Sequence, residues 1–313
     1  MTNWEIFMHR VRRTWAGLDT PWELLLLLMD HATQRLTGKN PRRQAKSFAR
    51  RMRSMMEREG DHWRIGDVRL PLLDEATELT FLAWVFEDIF HVYLHHGDRY
   101  DESSIDRCYT LLPEGPFGLR NERVDVRVEE GDVVLDAGSW IGDFAAYASA
   151  KGASAVYAFE PIDATYAYLT RTAELNANVI PVKKGLSDHE GRAAMSIDAA
   201  SIGNAILTEG SGRSVELTTV DAFVKERGLR RVDFIKADIE GAERDMLKGA
   251  QETLARSKPK LALCTYHLPD DPEVLAALIK EAEPSYEVVQ KRKKLYASVP
   301  REGGRSSHEA LLA

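Results

Sequence analysis

The chain of 313 residues is 44% hydrophobic and carries a net charge of −7, so it can bury one large core or two modest ones, and its surface as a whole is not that of a polyanion binder. Its two cysteines, Cys108 and Cys264, lie far apart and match no C-x-x-C spacing, which argues against a zinc site or a disulfide framework and fits a reducing, cytoplasmic setting. Met1 to Arg13 is mixed polar and charged, unlike a signal peptide, and the apolar run Leu24–Met29 is far too short to span a membrane.

The first 115 residues read as a mainly helical region, separate from 116–313. Asp19-Thr20-Pro21-Trp22-Glu23 starts a helix that runs to Leu36, and a second long helix extends from Asp74 to His96. Between them, Trp63, Ile65, Val68 and Leu70 alternate around Gly66-Asp67 as a small hairpin would. Five of the six tryptophans fall in this region, more than a solvated linker would carry. Lys39 to Arg58 is basic, a phosphate surface or a solvated helix face. His91 and His95 share a helix face that would permit a metal, but no further ligand accompanies them, and a helix C-terminus also favours histidine. Tyr109 to Asp132 is punctuated by glycine and proline and forms the junction between the two parts.

The stretch Gly131–Pro161 reads as strand, glycine turn, helix, strand. Val133, Val134 and Leu135 make a buried parallel strand closed by Asp136; Gly138 and Gly142 bracket the turn, and Asp143 stands where a helix N-cap would. Ala155 to Phe159 is the next strand, with Glu160 at its carboxyl end. Such a unit aims backbone N–H groups and a helix N-terminus at one part of a ligand, while the acid accepts hydrogen bonds from ribose hydroxyls. The turn lacks the middle glycine of a dinucleotide fingerprint, and Asp136 suits a ligand with an amine and a sulfonium better than a pyrophosphate.

A helix follows from Asp163 to Asn178, then a strand from Val179 to Lys183 and a turn at Gly185-Leu186-Ser187-Asp188, where Ser187 and Asp188 are candidate cofactor neighbours or merely a turn. Ala193–Ile197 and Ser214–Thr219 are alternating strands around a Gly/Ser/Asn-rich insert, Ser201 to Gly212, placed to form a lid or an acceptor wall. Val232 to Ala237 is the fourth parallel strand, with Asp238, Glu240 and Glu243 crowded at its carboxyl end. Leu261 to Tyr266 is the fifth, with His267 at its end. Helix Pro272–Glu283 and strand Tyr286–Gln290 follow; Lys291 to Lys294 is read as a solvated approach, and the tail from His308 to Leu312 as one more edge strand.

Taken together, DAGSWIGDF, VYAFEP, GLSDHEG, VELTTVDAF, VDFIKADIEGAERDMLKGA and CTYHLPDD resemble FkbM-type S-adenosylmethionine-dependent methyltransferases in order and spacing, from about Tyr109 to Ala313. The core Lys236-x-Asp238-x-Glu240-Gly241-x-Glu243 is the most specific of these motifs. The resemblance implies an α/β fold of the class I methyltransferase (Rossmann-like) type, a seven-stranded sheet whose last strand is antiparallel, and the HEALLA tail resembles that closing strand. It also implies S-adenosylmethionine contacts from Asp136, Gly138, Ser139, Gly142, Asp143, Glu160, Pro161, Ser187 and Asp188, and O-methylation of a small-molecule or glycan hydroxyl. Trp140 departs from the family, which usually has a smaller polar residue at that turn position.

A hydroxyl needs its proton removed before it attacks a methyl group. The candidates at the sheet edge are Asp238, Glu240 and His267: either His267 or Asp238 serves as base, or Asp238 and Glu240, with or without Glu243, hold a divalent cation that polarises the hydroxyl. Two rival readings are a nucleic-acid methyltransferase using the basic segment and a non-catalytic binding subunit. Against the first, the loop after the fourth strand reads Asp238-Ile239-Glu240-Gly241 and not (Asp/Asn)-Pro-Pro-aromatic.

Overall fold

The computed structural model describes residues 56–82, 115–197, 205–208, 213–291 and 293–300. The expected helix from Asp19, the histidines at 91, 95 and 96, four of the five amino-terminal tryptophans, all of the basic run except Arg58, Cys108 and the tail at 308–312 lie outside these residues.

The described chain opens with β1 (Glu57–Glu59), β2 (His62–Ile65) and β3 (Val68–Pro71), an antiparallel meander whose β2–β3 turn is the expected one at Gly66. A helical segment at 75–82 follows, started by Asp74, whose carboxylate accepts the Thr77 N–H at 3.0 Å. A two-strand ladder of β4 (Leu119–Arg120) and β5 (Asp125–Val126) leads into the main sheet.

From there the elements are β6 (Val133–Ala137), α1 (Asp143–Ala150), β7 (Ala155–Phe159), α2 (Asp163–Leu175), β8 (Val179–Val182), β9 (Gly185–Leu186), β10 (Gly191–Ile197), β11 (Ala205–Thr208), β12 (Arg213–Thr218), α3 (Val220–Glu226), β13 (Phe234–Ala237), α4 (Glu243–Lys248), α5 (Gln251–Ser257), β14 (Lys260–Cys264), α6 (Asp271–Ala282), β15 (Glu287–Lys291) and β16 (Lys294–Ser298). Seven strands form the central sheet in the order β15-β16-β14-β13-β6-β7-β8. All pairings are parallel except those of β16, which runs antiparallel to both neighbours. This is the class I methyltransferase topology, with the strand order reversing between β6 and β13. Open α/β sheets bind ligands in the crevice at such a reversal.

Side-chain alternation builds a core on each face. Val134 and Phe234 point to the face covered by α1, α2 and the meander, with Phe144, Leu169 and Leu70. Leu135 and Ile235 point to the face covered by α3 to α6, with Phe223, Leu247, Leu275 and Ile279.

Three expectations need correction. The antiparallel closing strand is Lys294–Ser298 and not the HEALLA tail: Leu295, Tyr296 and Ala297 are buried between β14 and β15. The basic run Lys291–Lys294 is accordingly the β15–β16 turn, with Lys291 and Lys294 paired across it. Asp143 is the first helical residue of α1, the N-cap being Gly142 at φ 84°, a left-handed conformation that glycine adopts without strain. The insert also holds a strand of its own, β11, which pairs with β10.

Gly249 closes α4 against the turn after β9, where a Cβ would lie 2.2 Å from the Ser187 carbonyl oxygen. Gly249→Ala should therefore destabilise the fold by about 2–3 kcal/mol through overpacking against backbone. Urea unfolding checks this, and an unchanged midpoint would rule out that packing.

Candidate active site

Two loops meet at the carboxyl edge of β6 and β13. After β6 the chain turns through Gly138 (φ 74°), Trp140 (φ 50°) and Gly142 (φ 84°), and after β13 through Glu240 (φ 55°) and Gly241 (φ 101°). A Cβ on Gly138 would sit 2.0 Å from the Asp238 carbonyl oxygen, so only glycine lets the loops approach this closely. Between them and the end of β7 lies a cleft of ≈ 320 Å³, with Phe117, Trp140 and Phe159 among its apolar walls.

At one end of the cleft stands Glu160, only 5% exposed. Its Oε2 accepts the Trp140 N–H at 3.0 Å and its Oε1 the Ile162 N–H at 2.9 Å. These bonds clamp the carboxylate to both loops that follow β6 and β7. Burial nevertheless pushes its pKa up to about 7, outweighing those two N–H groups, the Thr165 hydroxyl and the charge of Lys236.

Asp136 is fully buried beneath the glycine turn. Its Oδ1 lies 3.0 Å from Nζ of Lys236, which stands opposite it in the β6–β13 register. The same ammonium donates to the Gly138 carbonyl at 2.6 Å and to the Ala137 carbonyl at 3.3 Å. Burial alone would depress the Lys236 pKa, but Asp136, Asp238 and Asp143 surround it and raise it, so it stays charged. Asp143 has its pKa pushed up to about 6 by burial, against the pull of Lys236.

At the other end, the loop after β13 meets the end of β14. The His267 side chain is 8% exposed, and its Nε2 lies 3.6 Å from Asp238 Oδ1 and 3.4 Å from Glu240 Oε2. Its Nδ1 lies 3.2 Å from Glu243 Oε1. Burial alone would lower the imidazole pKa, but the carboxylates of Glu240, Glu243 and Asp238 overcome it and raise it to about 10. The three carboxylates thus favour the imidazolium form of His267, and a ring in that form has no lone pair with which to accept a proton. Tyr266 donates its hydroxyl to Asp238 Oδ1 at 2.8 Å, and burial beside that carboxylate raises the phenol pKa far above its usual value. Glu243, completely buried, accepts the N–H groups of Ile239 (2.8 Å) and Gly241 (3.0 Å), and so holds the strained turn that carries Glu240.

The structure thus brings Gly138, Asp143, Glu160, Pro161, Asp238 and Glu240 to one cleft. Asp136 faces Lys236 beneath it, and Ser139 turns its hydroxyl back to the Asp136 carbonyl at 2.9 Å. Gly142 packs against Leu169 and Thr172 in the core, while Asp188 pairs with His189 and Ser187 lies beneath the cleft's edge against Gly249. Asp238, Glu240 and His267 can bring one ligand atom each within 4.8 Å of one another; Glu243 forms a similar group with His267 and Asp271. Trp140, 5% exposed, is a wall of the cleft. Lys236 and Tyr266 were not among the candidate residues.

The family model described as Methyltransferase FkbM domain matches residues 133–287. The hexuronic acid methyltransferase AglP of Haloferax volcanii is 32% identical over 203 residues, covering 62% of this chain and 81% of its own. The methyltransferase sdnD of Sordaria araneosa is 29% identical, over 49% of this chain and 68% of its own. Among solved structures, the methyltransferase FkbM of Methylobacillus flagellatus aligns with a TM-score of 0.45 and 19% identity, over 72% of this chain and 56% of that one. No helix among the described residues is long and apolar enough to cross a membrane. With a relative at this identity matched over four-fifths of its length, the chain belongs to the FkbM family of S-adenosylmethionine-dependent methyltransferases.

Proposed function

We propose that the protein transfers a methyl group from S-adenosylmethionine to a hydroxyl of a sugar or other small molecule, with the cofactor in the ≈ 320 Å³ cleft. The observation that carries this reading is the placing of two unlike groups in one cleft: a clamped, buried carboxylate, Glu160, and an acidic cluster at Asp238 and Glu240. The residues present fit the cofactor. Glu160 keeps lone pairs for ribose hydroxyls beyond its two backbone bonds. Trp140 and Phe159 offer apolar surface to the base, and the glycine turn lets the methionine portion approach the backbone.

The cofactor's sulfonium supplies an electrophilic methyl group. The protein's part is to hold the acceptor oxygen in line with it and to take its proton. Asp238 is our candidate base, steered by the Tyr266 hydroxyl and by the His267 imidazolium. Glu240 stands beside it on a turn braced by Glu243. Leu268, 37% exposed, provides an apolar wall for the acceptor at the same edge. The relative AglP is named for a hexuronic acid, and a glycan acceptor is the reading we extend to this chain.

A second reading has an observation of its own. Asp238, Glu240 and His267 would hold a divalent cation, the imidazole giving up its proton to become a ligand, and the cation would acidify the hydroxyl. Glu243 suits this role less well, because its oxygens already serve backbone N–H groups.

S-adenosylhomocysteine should raise the melting temperature by mass action. Glu160→Ala should weaken its binding by about 1–3 kcal/mol, the loss of charged acceptors for ribose. Because Glu160 is protonated below a pKa of about 7 in the free protein, wild-type affinity should climb as pH rises through that value, with proton release on binding below it. Glu160→Gln should flatten this profile. Calorimetry at several pH values decides; a flat wild-type profile removes Glu160 from the ribose.

Asp238→Asn should leave that affinity nearly intact and lower turnover by about two to four orders of magnitude. The assay follows tritiated methyl into sugars, polyketides, RNA and protein. Activity abolished by a chelator and restored by Mg²⁺ selects the cation, and indifference selects the side-chain base. Label that is lost in mild alkali would mark a methyl ester and move the nucleophile from a hydroxyl to a carboxylate. Label entering RNA and no small molecule would overturn the proposal.

A further inference from the structure

The turn between β15 and β16 has no part in the chemistry above, yet it delivers cations to the same edge of the sheet. Lys294 pairs with Cys264 at the carboxyl end of β14, three residues before His267. The Lys293 carbonyl accepts the Thr265 N–H at 2.8 Å, which fixes the tip of the turn to the strand end that carries Tyr266 and His267. Nζ of exposed Lys293 stands 5.5 Å from the Tyr266 ring centroid, and the Tyr266 hydroxyl is bonded to Asp238. Nζ of Lys294 stands 4.1 Å from the ring centroid of Phe117, a wall of the cleft. In a chain of net charge −7, two lysines thus stand against the rings of Phe117, which lines the cleft, and Tyr266, which is bonded to the cleft's Asp238.

Resting on the reading that the acceptor is a sugar, we propose that the sugar is anionic and that Lys293 binds its charged substituent while a neighbouring hydroxyl faces Asp238 and Glu240. The arrangement separates the two tasks. The carboxylates would repel an anion placed directly on them, so the substituent must lie to one side, and Lys293 is held on that side by backbone. Tyr266 links the two, with the ammonium 5.5 Å from its ring centroid and its hydroxyl bonded to Asp238 at 2.8 Å, so both groups lie within reach of one sugar. Lysine suits such a contact because its compact charge reaches a carboxylate or phosphate without a fixed fork geometry.

The test is calorimetric binding to the protein saturated with S-adenosylhomocysteine. The probes are methyl β-D-glucuronide, methyl β-D-glucoside and methyl β-D-glucoside 6-phosphate. Wild type should bind at least one anionic probe more tightly than the glucoside, less so at high salt. Lys293→Gln should weaken the anionic probe about tenfold, as loss of a charge-assisted bond would, and leave the glucoside unchanged. Lys293→Arg should restore most of the binding. The preferred anionic probe distinguishes a carboxylate from a phosphate. Equal weakening of glucoside and anion, no weakening, or no binding of either anionic probe would overturn the proposal, as would Lys293-dependent binding of an RNA oligonucleotide in their place. Retained S-adenosylhomocysteine affinity in Lys293→Gln separates this failure from failure of the methyltransferase reading itself.

Discussion

The buried ammonium of Lys236 is the interaction on which the carboxyl edge depends. It lies where the strand order reverses, and it neutralises Asp136 while bonding the carbonyls that open the glycine turn. A buried ion pair adds little net stability, because desolvating both charges offsets their attraction. What it gives here is geometry. Remove the lysine, and Asp136 is left in the core without its partner while Gly138 loses the group that holds its carbonyl toward β13. The close approach of Gly138 to Asp238 then rests on backbone bonds alone, chiefly the Asp238 N–H to the Ala137 carbonyl at 3.1 Å, and that approach sets the cofactor end and the acidic end of the cleft beside one another.

Strain and charge are concentrated in the loop after β13. Glu240 takes a left-handed conformation that a non-glycine residue adopts at a cost of about 1–3 kcal/mol. The buried carboxylate of Glu243 offsets this by accepting two N–H groups of the same turn. Asp238, Glu240 and Glu243 would repel one another if left alone, and the His267 imidazolium among them makes the cluster tolerable. Its neighbours favour the protonated ring, which in that form is their counter-charge. A cation arriving at Asp238 and Glu240 would take over that role.

Much of this was legible in the sequence, and the parts that were not share a cause. The β6–turn–α1–β7 unit and Glu160 could be read because their signals are local: glycine spacing, a β-branched strand, an acid at the next strand end. The Asp136–Lys236 pair could not be read as a contact, because it forms across a register linking residues a hundred positions apart. Lys291–Lys294 looked like a solvated approach because charge dominates the run; only strand pairing shows that it turns between two strands, and that the short apolar stretch after it closes the sheet. Asp143 looked like an N-cap by residue type, but Gly142 in its left-handed conformation takes that place. The strand β11 was hidden in a Gly/Ser/Asn-rich insert, where composition suggests loop and pairing to β10 decides otherwise.

In the proposed complex one cleft holds the nucleoside at Glu160 and presents the reacting end to Asp238 and Glu240. A crystal structure of the protein with S-adenosylhomocysteine tests it most directly. The ribose hydroxyls should lie within hydrogen-bond distance of the Glu160 carboxylate and the sulfur should turn toward the loop after β13, with Asp238 and Glu240 on the side from which an acceptor would approach. A ribose bound away from Glu160, or a sulfur facing away from that loop, would contradict it.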